Sequence, residues 1–252
     1  MVAAPPSSDA VPDAVRELVL GDAPARTESG GMMIIGVLGS GMVGQALATR
    51  CHELGHTVTM GSRSASNERA VAWAGERGER ARADTFTDAA GDADLVINAT
   101  NGVSSLAALA TAADQLRGKT LMDVANPLDF SHADCTGNKA PSLSVVNTDS
   151  LAEQIQRAHP EAQVVKALNT MNNAVMVHPE SVPGEHDVFV CGDHAQAKSQ
   201  VAGLLRQFGW PERSIIDLGG LDAARGTEMY LPLWLKLVGL LGQTPFNIHV
   251  AH

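Results

Sequence analysis

Residues 32–63 read MMIIGVLGSGMVGQALATRCHELGHTVTMGSR, and this stretch decides the fold. Met32 to Leu38 is an uncharged apolar run, the pattern of a strand buried on both faces. Gly39, Gly41 and Gly44 follow as G-x-G-x-x-G. The first glycine allows a tight turn, and the second lets a pyrophosphate approach the backbone. The third lets a helix pack closely on its strand. Val43, Leu47, the stem of Arg50 and Leu54 then recur at helical spacing, and Gly55 predicts the stop. The free N–H groups and positive dipole end of that helix point at the glycine turn and make an anion site. Thr57 to Met60 is β-branched strand sequence. A glycine fingerprint alone is weak, but here strand, helix and second strand all fall where a dinucleotide site needs them.

The end of the second strand indicates which dinucleotide. A site for NAD has Asp or Glu there to accept hydrogen bonds from the ribose hydroxyls. This chain has Met60, Gly61, Ser62 and Arg63. No carboxylate at these positions would repel a 2′-phosphate. Ser62 can donate to one, and Arg63 can pair with it through a planar fork while stacking on adenine. The residues therefore point to NADP(H).

The chain has 252 residues, 44% of them hydrophobic, enough for one large domain or a nucleotide-binding domain with a smaller partner. Its net charge of −10 argues against nucleic acid as a partner. An acidic chain that holds an anionic cofactor must gather its few basic groups locally, which gives Arg63 weight. Residues 1–31 are rich in Ala, Pro, Ser and Gly and lack a basic n-region, so a flexible N-terminal extension is expected rather than a secretory signal. Val11 to Leu20 is its one stretch with helical spacing. No run of about 18 apolar residues occurs, so no membrane span is expected. Cys51, Cys135 and Cys191 are far apart with no C-x-x-C, which fits reduced thiols in a cytoplasmic protein. None has a neighbouring base or a partner at redox spacing, so structural thiols are expected.

His52-Glu53-Leu54-Gly55-His56 matches the zinc-protease pattern H-E-x-x-H. That pattern needs both histidines one turn apart on a continuing helix. Here the helix should end at Gly55 and His56 should lead into a strand, so no metal is expected. Further on, Ser64 to Arg80 reads as a surface helix and Ala81 to Phe86 as a short strand. Asp94 to Thr100, DLVINAT, is a buried strand whose end, Ala99-Thr100-Asn101-Gly102, should lie at the carboxyl edge of the sheet, where ligands of such folds bind. Ser104 is expected to cap the next helix. Thr120 to Ala125 is a strand ending in Asn126-Pro127, and Asp129 to Asn147 an irregular connection. Ser150-x-x-Glu153 is a capping box. Gln163 to Leu168 is a strand running into Asn169-Thr170-Met171-Asn172-Asn173. Each asparagine read singly is a turn residue, but several strand ends carrying neutral amides or hydroxyls suit a carboxamide and an uncharged ring. Asp187 to Cys191 and Ser214 to Leu218 read as strands. Between them Asp193-x-x-Gln196 is expected to cap a helix that ends at Gly209. Leu221 to Leu241 is an apolar helix broken by Pro232, either core or subunit interface. Phe246 to Val250 is expected as a closing strand.

Taken together, IGVLGSGMVGQALA, GHTVTMGSR, DLVINAT, VVKALNTMN, VFVCGD and the late apolar helix resemble the NADP-dependent oxidoreductases of the deazaflavin (coenzyme F420) reductase family, whose flavin-linked relatives include the cytosolic domain of the STEAP metalloreductases. The resemblance covers Met33 to about Val250. It implies an α/β fold: an N-terminal Rossmann-type doubly wound parallel sheet over 32–168, and a smaller C-terminal α/β domain over 169–252 for the acceptor and for dimerisation. It also implies a homodimer and hydride transfer between NADPH and a tricyclic acceptor, coenzyme F420 or a related flavin. Carried over by residue, Gly39, Ser40, Gly41, Met42 and Val43 would hold the pyrophosphate, and Ser62 and Arg63 the 2′-phosphate. Ala99, Thr100, Asn101 and Asn126 would flank the ribose and nicotinamide. The turn Ala167 to Thr170, with Asn169, would lie by the nicotinamide and acceptor.

Two other functions stay open at this level. A reductase of a small carbonyl or imine needs a proton donor beside the nicotinamide, for which Tyr230 or Lys236 on the late helix are candidates. A non-enzymatic NADPH-binding protein would use that helix to dock a partner.

Overall fold

The computed structural model describes residues 31–131, 133, 141–242 and 244–251. The N-terminal extension through residue 30, with the spacing at Val11 to Leu20, and Cys135 lie outside the described residues. In chain order the strands are β1 (Ile34–Leu38), β2 (Thr57–Ser62), β3 (Ala81–Thr85), β4 (Leu95–Asn98), β5 (Thr120–Asp123), β6 (Leu128–Asp129), β7 (Ser142–Leu143), β8 (Gln163–Ala167), β9 (Val188–Cys191) and β10 (Ile215–Asp217). The helices are α1 (Met42–Glu53), α2 (Glu68–Gly75), α3 (Phe86–Gly91), α4 (Gly102–Ala110), α5 (Leu151–Ala158), α6 (Asn173–Val177), α7 (Ala195–Phe208), α8 (Ala224–Met229) and α9 (Leu231–Leu241). The main sheet has the order β10-β9-β8-β5-β4-β1-β2-β3, and β6 and β7 form a separate antiparallel pair. Neighbours in the main sheet are parallel except β8 and β9.

Alternation along the strands explains the layering. Ile35, Val37, Leu95, Ile97, Met122 and Val165 point into one core, against Leu47 and Cys51 of α1, Trp73 of α2 and Leu204, Leu205 and Phe208 of α7. Leu38, Val96, Leu121 and Val164 point the other way, against Phe86 and Ala89 of α3, Leu109 of α4, Ile155 of α5 and Ala224 of α8. Both faces are covered, so the strands read as continuous apolar runs. The chain leaves β1 toward β2 and β3, then crosses to β4 on the other side. The switch point therefore lies at the carboxyl ends of β1 and β4, the crevice where open α/β sheets bind ligands.

Several elements differ from the sequence reading. Residues 32–252 form one compact unit, in which β9 and β10 continue the main sheet from the open edge of β8. The apolar VFVC of β9 satisfies its backbone on that edge and starts no second sheet. Asn101, not Ser104, caps α4, so that helix begins at Gly102. Asp193 makes no cap on α7 and accepts the backbone N–H of Leu221 instead. Phe246 to Val250 is not a strand. Asp187 holds it, its N–H donating to the Ile248 carbonyl and its carboxylate accepting from Val250 N at 2.7 Å. The late apolar segment divides between α8 and α9, with Pro232 in the first turn of α9, as Pro requires. No helix among the described residues is long and apolar enough to cross a membrane.

Candidate functional site

The glycine turn is built from three glycines with different physical roles. Gly39 has φ +124°, and a Cβ there would sit 2.4 Å from the Ala99 carbonyl oxygen. Its N–H donates to the Gly61 carbonyl at 2.9 Å, which ties the turn to the end of β2. A Cβ on Gly44 would sit 1.9 Å from the Gly39 carbonyl oxygen, so α1 can approach β1 only with glycine there. Gly41 differs: a Cβ would meet nothing within 4 Å, and its φ of −79° suits any residue. The protein itself does not need a glycine at that position. The turn opens there onto the start of α1.

That helix start is left bare. Side chains of Asn67, Thr85, Asn101, Ser150 and Asn172 cap α2, α3, α4, α5 and α6. No described side chain caps α1, and its first turn holds no acidic residue. Its first N–H groups have no partner within the helix and carry the positive dipole end. Open space at Gly41 and unpaired donors together fit a pyrophosphate.

A cleft of about 530 Å³ begins at this turn. One set of lining residues comes from the sheet edge: Gly41, Met42 and Val43; Ala99, Thr100, Asn101 and Gly102; Val124, Ala125 and Asn126; and Asn169. The other comes from later elements: Leu128 and Phe130; Met171, Asn172, Asn173 and Met176; and Leu231, Trp234 and Leu235 of α9. None of these side chains is ionisable. Of the residues expected from the sequence, Gly41, Met42, Val43, Ala99, Thr100, Asn101, Asn126 and Asn169 line the cleft. Gly39 and Ser40 shape the turn behind it, and the Ser40 carbonyl accepts from Gln45 Nε2 at 3.0 Å. Ala167 and Thr170 are buried and do not line it.

Ser62 and Arg63 stand outside the cleft, at the end of β2, and they are unlike each other. The Ser62 side chain is buried and committed: its Oγ donates to the Ser64 carbonyl at 2.6 Å and accepts from Ser64 N at 3.2 Å. Arg63 is exposed, and no described residue pairs with its guanidinium. Ser64 is exposed beside it.

The chain matches the family model described as NADP oxidoreductase coenzyme F420-dependent over residues 34–127, from β1 to just beyond β5. The F420-dependent NADP reductase of Methanothermobacter thermautotrophicus is 30% identical over 213 residues, covering 82% of this chain and 89% of that protein. The chain belongs to the F420-dependent NADP reductase family. Like that family, it is an NADP-dependent oxidoreductase. A solved structure from Arthrobacter sp. FB24, provisionally named an F420-dependent NADP reductase, is 48% identical with a TM-score of 0.81, covering 87% of this chain and all of that one. Metalloreductase STEAP3 of Rattus norvegicus is 31% identical over 205 residues, 79% of this chain. The chain spans only 37% of that protein's length.

In this family member the amide-rich strand ends are partly spent on each other. Asn126 Nδ2 donates to the Asn169 carbonyl at 2.8 Å, and Asn169 Nδ2 returns a bond to Asn126 Oδ1 at 3.0 Å. The Thr100 hydroxyl donates to Asn98 Oδ1 at 2.6 Å and meets Ser105 Oγ at 2.8 Å. These pairs hold the sheet-edge wall rigid. Between them Leu168 takes φ +61°, an unfavourable conformation for a branched side chain that tight surroundings must impose. Asn172 and Asn101 use their Oδ1 atoms as helix caps, and no described residue takes their Nδ2 groups.

Behind the cleft lies a feature missed in the sequence. Lys166, Asp123 and Glu228 are all at most 1% exposed. Lys166 Nζ donates to Asp123 Oδ2 at 2.8 Å, to Glu228 Oε1 at 2.7 Å and to the Ala125 carbonyl. Glu228 also accepts from Leu151 N at 2.8 Å and Ala152 N at 3.1 Å, at the start of α5. Burial disfavours the charged lysine, but the two carboxylates outweigh it and hold its pKa above the ordinary value. The signal was present as a lone charge inside QVVKA and another ending TLMD, since a buried charge needs a partner.

The remaining candidates take structural places. α1 ends at Glu53, so His52 and His56 do not share a helix. The ring of His56 accepts from Met33 N at 3.1 Å and meets Gln207 Oε1 at 2.8 Å, and burial holds its pKa below the usual value. Burial pushes the Cys191 thiol up to about 12 and the Cys51 thiol up as well, so neither is a ready thiolate. The Tyr230 hydroxyl is buried with no partner among the described residues, burial raises its pKa, and it does not line the cleft; Lys236 is exposed on α9 and does not line it either.

Proposed function

We propose that this reductase transfers a hydride between NADP(H) and coenzyme F420 or a related flavin, with both held in the cleft. The observation that carries the reading is the cleft's chemistry: its described lining is apolar or neutral and holds no proton donor of the Tyr, Lys, His or carboxyl type. Reduction of a carbonyl or imine needs a donor beside the reacting carbon. Transfer between two redox cofactors needs mainly positioning and exclusion of water.

NADPH supplies the hydride when bound. In this reading the backbone from Gly39 to Val43 binds the pyrophosphate, with Ser40 shaping the turn. Arg63 reads the 2′-phosphate, and Ser62 holds the Ser64 turn in place beside it. Ala99, Thr100, Asn101 and Asn126 form the ribose and nicotinamide side. Asn169 fixes Asn126, and Ala167 and Thr170 support that turn from the core. Residues 169–252 supply the acceptor side through Met171, Met176 and α9. Leu233, Leu240 and Leu241 leave an apolar strip of α9 exposed, which supports pairing of two copies into a homodimer. The wide spacing of the cysteines, with Cys51 and Cys191 buried, suits a cytoplasmic protein.

The test is oxidation of NADPH by the purified protein with coenzyme F420, FMN, FAD, cyclohexanone and a cyclic imine as separate acceptors. Turnover with a tricyclic acceptor and none with the carbonyl or imine is expected. Turnover with the carbonyl or imine alone would overturn the reading. NADPH binding with no turnover in any arm would favour the non-enzymatic function.

A further inference from the structure

The buried ions Asp123, Lys166 and Glu228 do not line the cleft, yet they connect the two sets of residues that do. Asp123 ends β5, Lys166 sits near the end of β8, and Glu228 lies in α8, three residues before Leu231. Asp123 Oδ1 accepts from Asn98 Nδ2 at 2.8 Å, and Asn98 in turn holds the Thr100 hydroxyl. Asp123 also accepts the Ala125 N–H at 3.2 Å, while Lys166 takes the Ala125 carbonyl. Both backbone polar atoms of a cleft-lining residue are thus fixed by this network. At its other end, Glu228 fastens α8, which leads directly into Leu231, Trp234 and Leu235.

Apolar packing alone would stabilise these elements as well, because well-packed hydrophobic residues often replace a buried ion network without loss of stability. Directed hydrogen bonds add a single register, which apolar contacts do not impose. Hydride transfer depends on such a register, since an error of about 1 Å in the reacting geometry can cost on the order of a hundredfold in rate.

We propose that the Asp123–Lys166–Glu228 network is a positioning device for hydride transfer, setting the acceptor wall on α9 against the nicotinamide wall at Thr100 and Ala125. The proposal rests on reading the cleft as the site of NADPH and a flavin-type acceptor. Lys166 is its centre, because its three N–H donors reach both walls and their common support.

The experiment compares the wild type with the charge-free triple variant Asp123→Asn, Lys166→Met, Glu228→Gln. Three quantities are read: NADPH affinity by nicotinamide fluorescence, steady-state rates with coenzyme F420 (or FMN, where the wild type prefers it), and amide hydrogen exchange. A folded triple variant should bind NADPH within about threefold of wild type while kcat falls about tenfold to a hundredfold. Amides of residues 229–241 should exchange faster, with those of 39–50 unchanged. If the triple variant does not fold, Glu228→Gln alone is judged by the same split. A folded variant with wild-type kcat, or one whose NADPH affinity and kcat fall together, would overturn the proposal. Wild-type protein that binds NADPH but reduces neither acceptor would overturn the functional reading instead, and faster exchange confined to 229–241 would still support the network's hold on α9.

Discussion

The two walls of the cleft are made of different material. At the sheet edge the surface is mostly backbone: Gly39, Gly41 and Gly44, an uncapped helix start, and strand ends locked by amide pairs. On the helical side it is mostly side chain: Met171, Met176, Leu231, Trp234 and Leu235. A backbone wall discriminates by where donors point and where a Cβ is missing, so it suits a group common to many ligands, such as a pyrophosphate. A side-chain wall discriminates by shape and apolar fit, so single substitutions can retune it. The difference teaches that, with the two walls read as proposed, cofactor and acceptor specificity can change independently.

The comparison breaks most severely at Gly44. Gly44→Ala puts a Cβ within 1.9 Å of the Gly39 carbonyl oxygen. The resulting overpacking should cost about 3 kcal/mol, or on the order of 10 °C in Tm, with NADPH binding lost as the turn shifts. Differential scanning calorimetry with and without NADPH checks both parts.

Arg63 sharpens the comparison, since in the proposed reading it is the side chain that tells NADPH from NADH. A charge-assisted contact there contributes roughly 1.5–3 kcal/mol, so Arg63→Ala should raise the KM for NADPH about tenfold to a hundredfold. The KM for NADH should stay nearly the same. Equal weakening of both cofactors would place Arg63 on adenine or on the fold.

The smallest effect belongs to a pair outside both walls. Arg157 donates to both carboxylate oxygens of Asp149, at 3.0 and 2.7 Å, and that pairing holds the Asp149 pKa at about 2, below its model-compound value of 3.8. The folded pKa is depressed, so the contribution to stability is present above about pH 3.8 and is lost as the pH falls toward 2. Wild type should melt slightly above Arg157→Ala at neutral pH, and the gap should close over that acid window. NADPH affinity should be equal in both proteins at neutral pH.

The backbone wall was legible in the sequence because its parts are local. Strand, glycine turn, helix and second strand occupy a single run, and Gly39, Gly41 and Gly44 have fixed offsets within it. The helical wall was not legible. Phe130, Met171 and Trp234 are far apart in the chain and come together only as the lining of one cleft. Asn169 and Asn126 were recognised as strand-end amides, but their bond to each other spans 43 residues and has no sequence spacing to announce it. Ser62 by its position suggests a phosphate donor, whereas local turn chemistry engages its hydroxyl with the Ser64 carbonyl. The division at 168/169 comes only from the family resemblance, and the antiparallel pairing of β8 with β9, which runs one sheet past that point, has no local sequence signal.

Gly41→Ala tests the central claim most directly, because the fold has no need of glycine at that position. With nothing within 4 Å of the new Cβ, the variant should fold with an unchanged Tm. If the space there is kept for a pyrophosphate, the Kd for NADPH and for NADH should both rise at least about tenfold, since the lost approach is common to both cofactors. Isothermal titration of the variant with each cofactor gives the answer. Unchanged affinity for both, in a variant that melts like the wild type, would contradict the assignment of the glycine turn as the cofactor's seat.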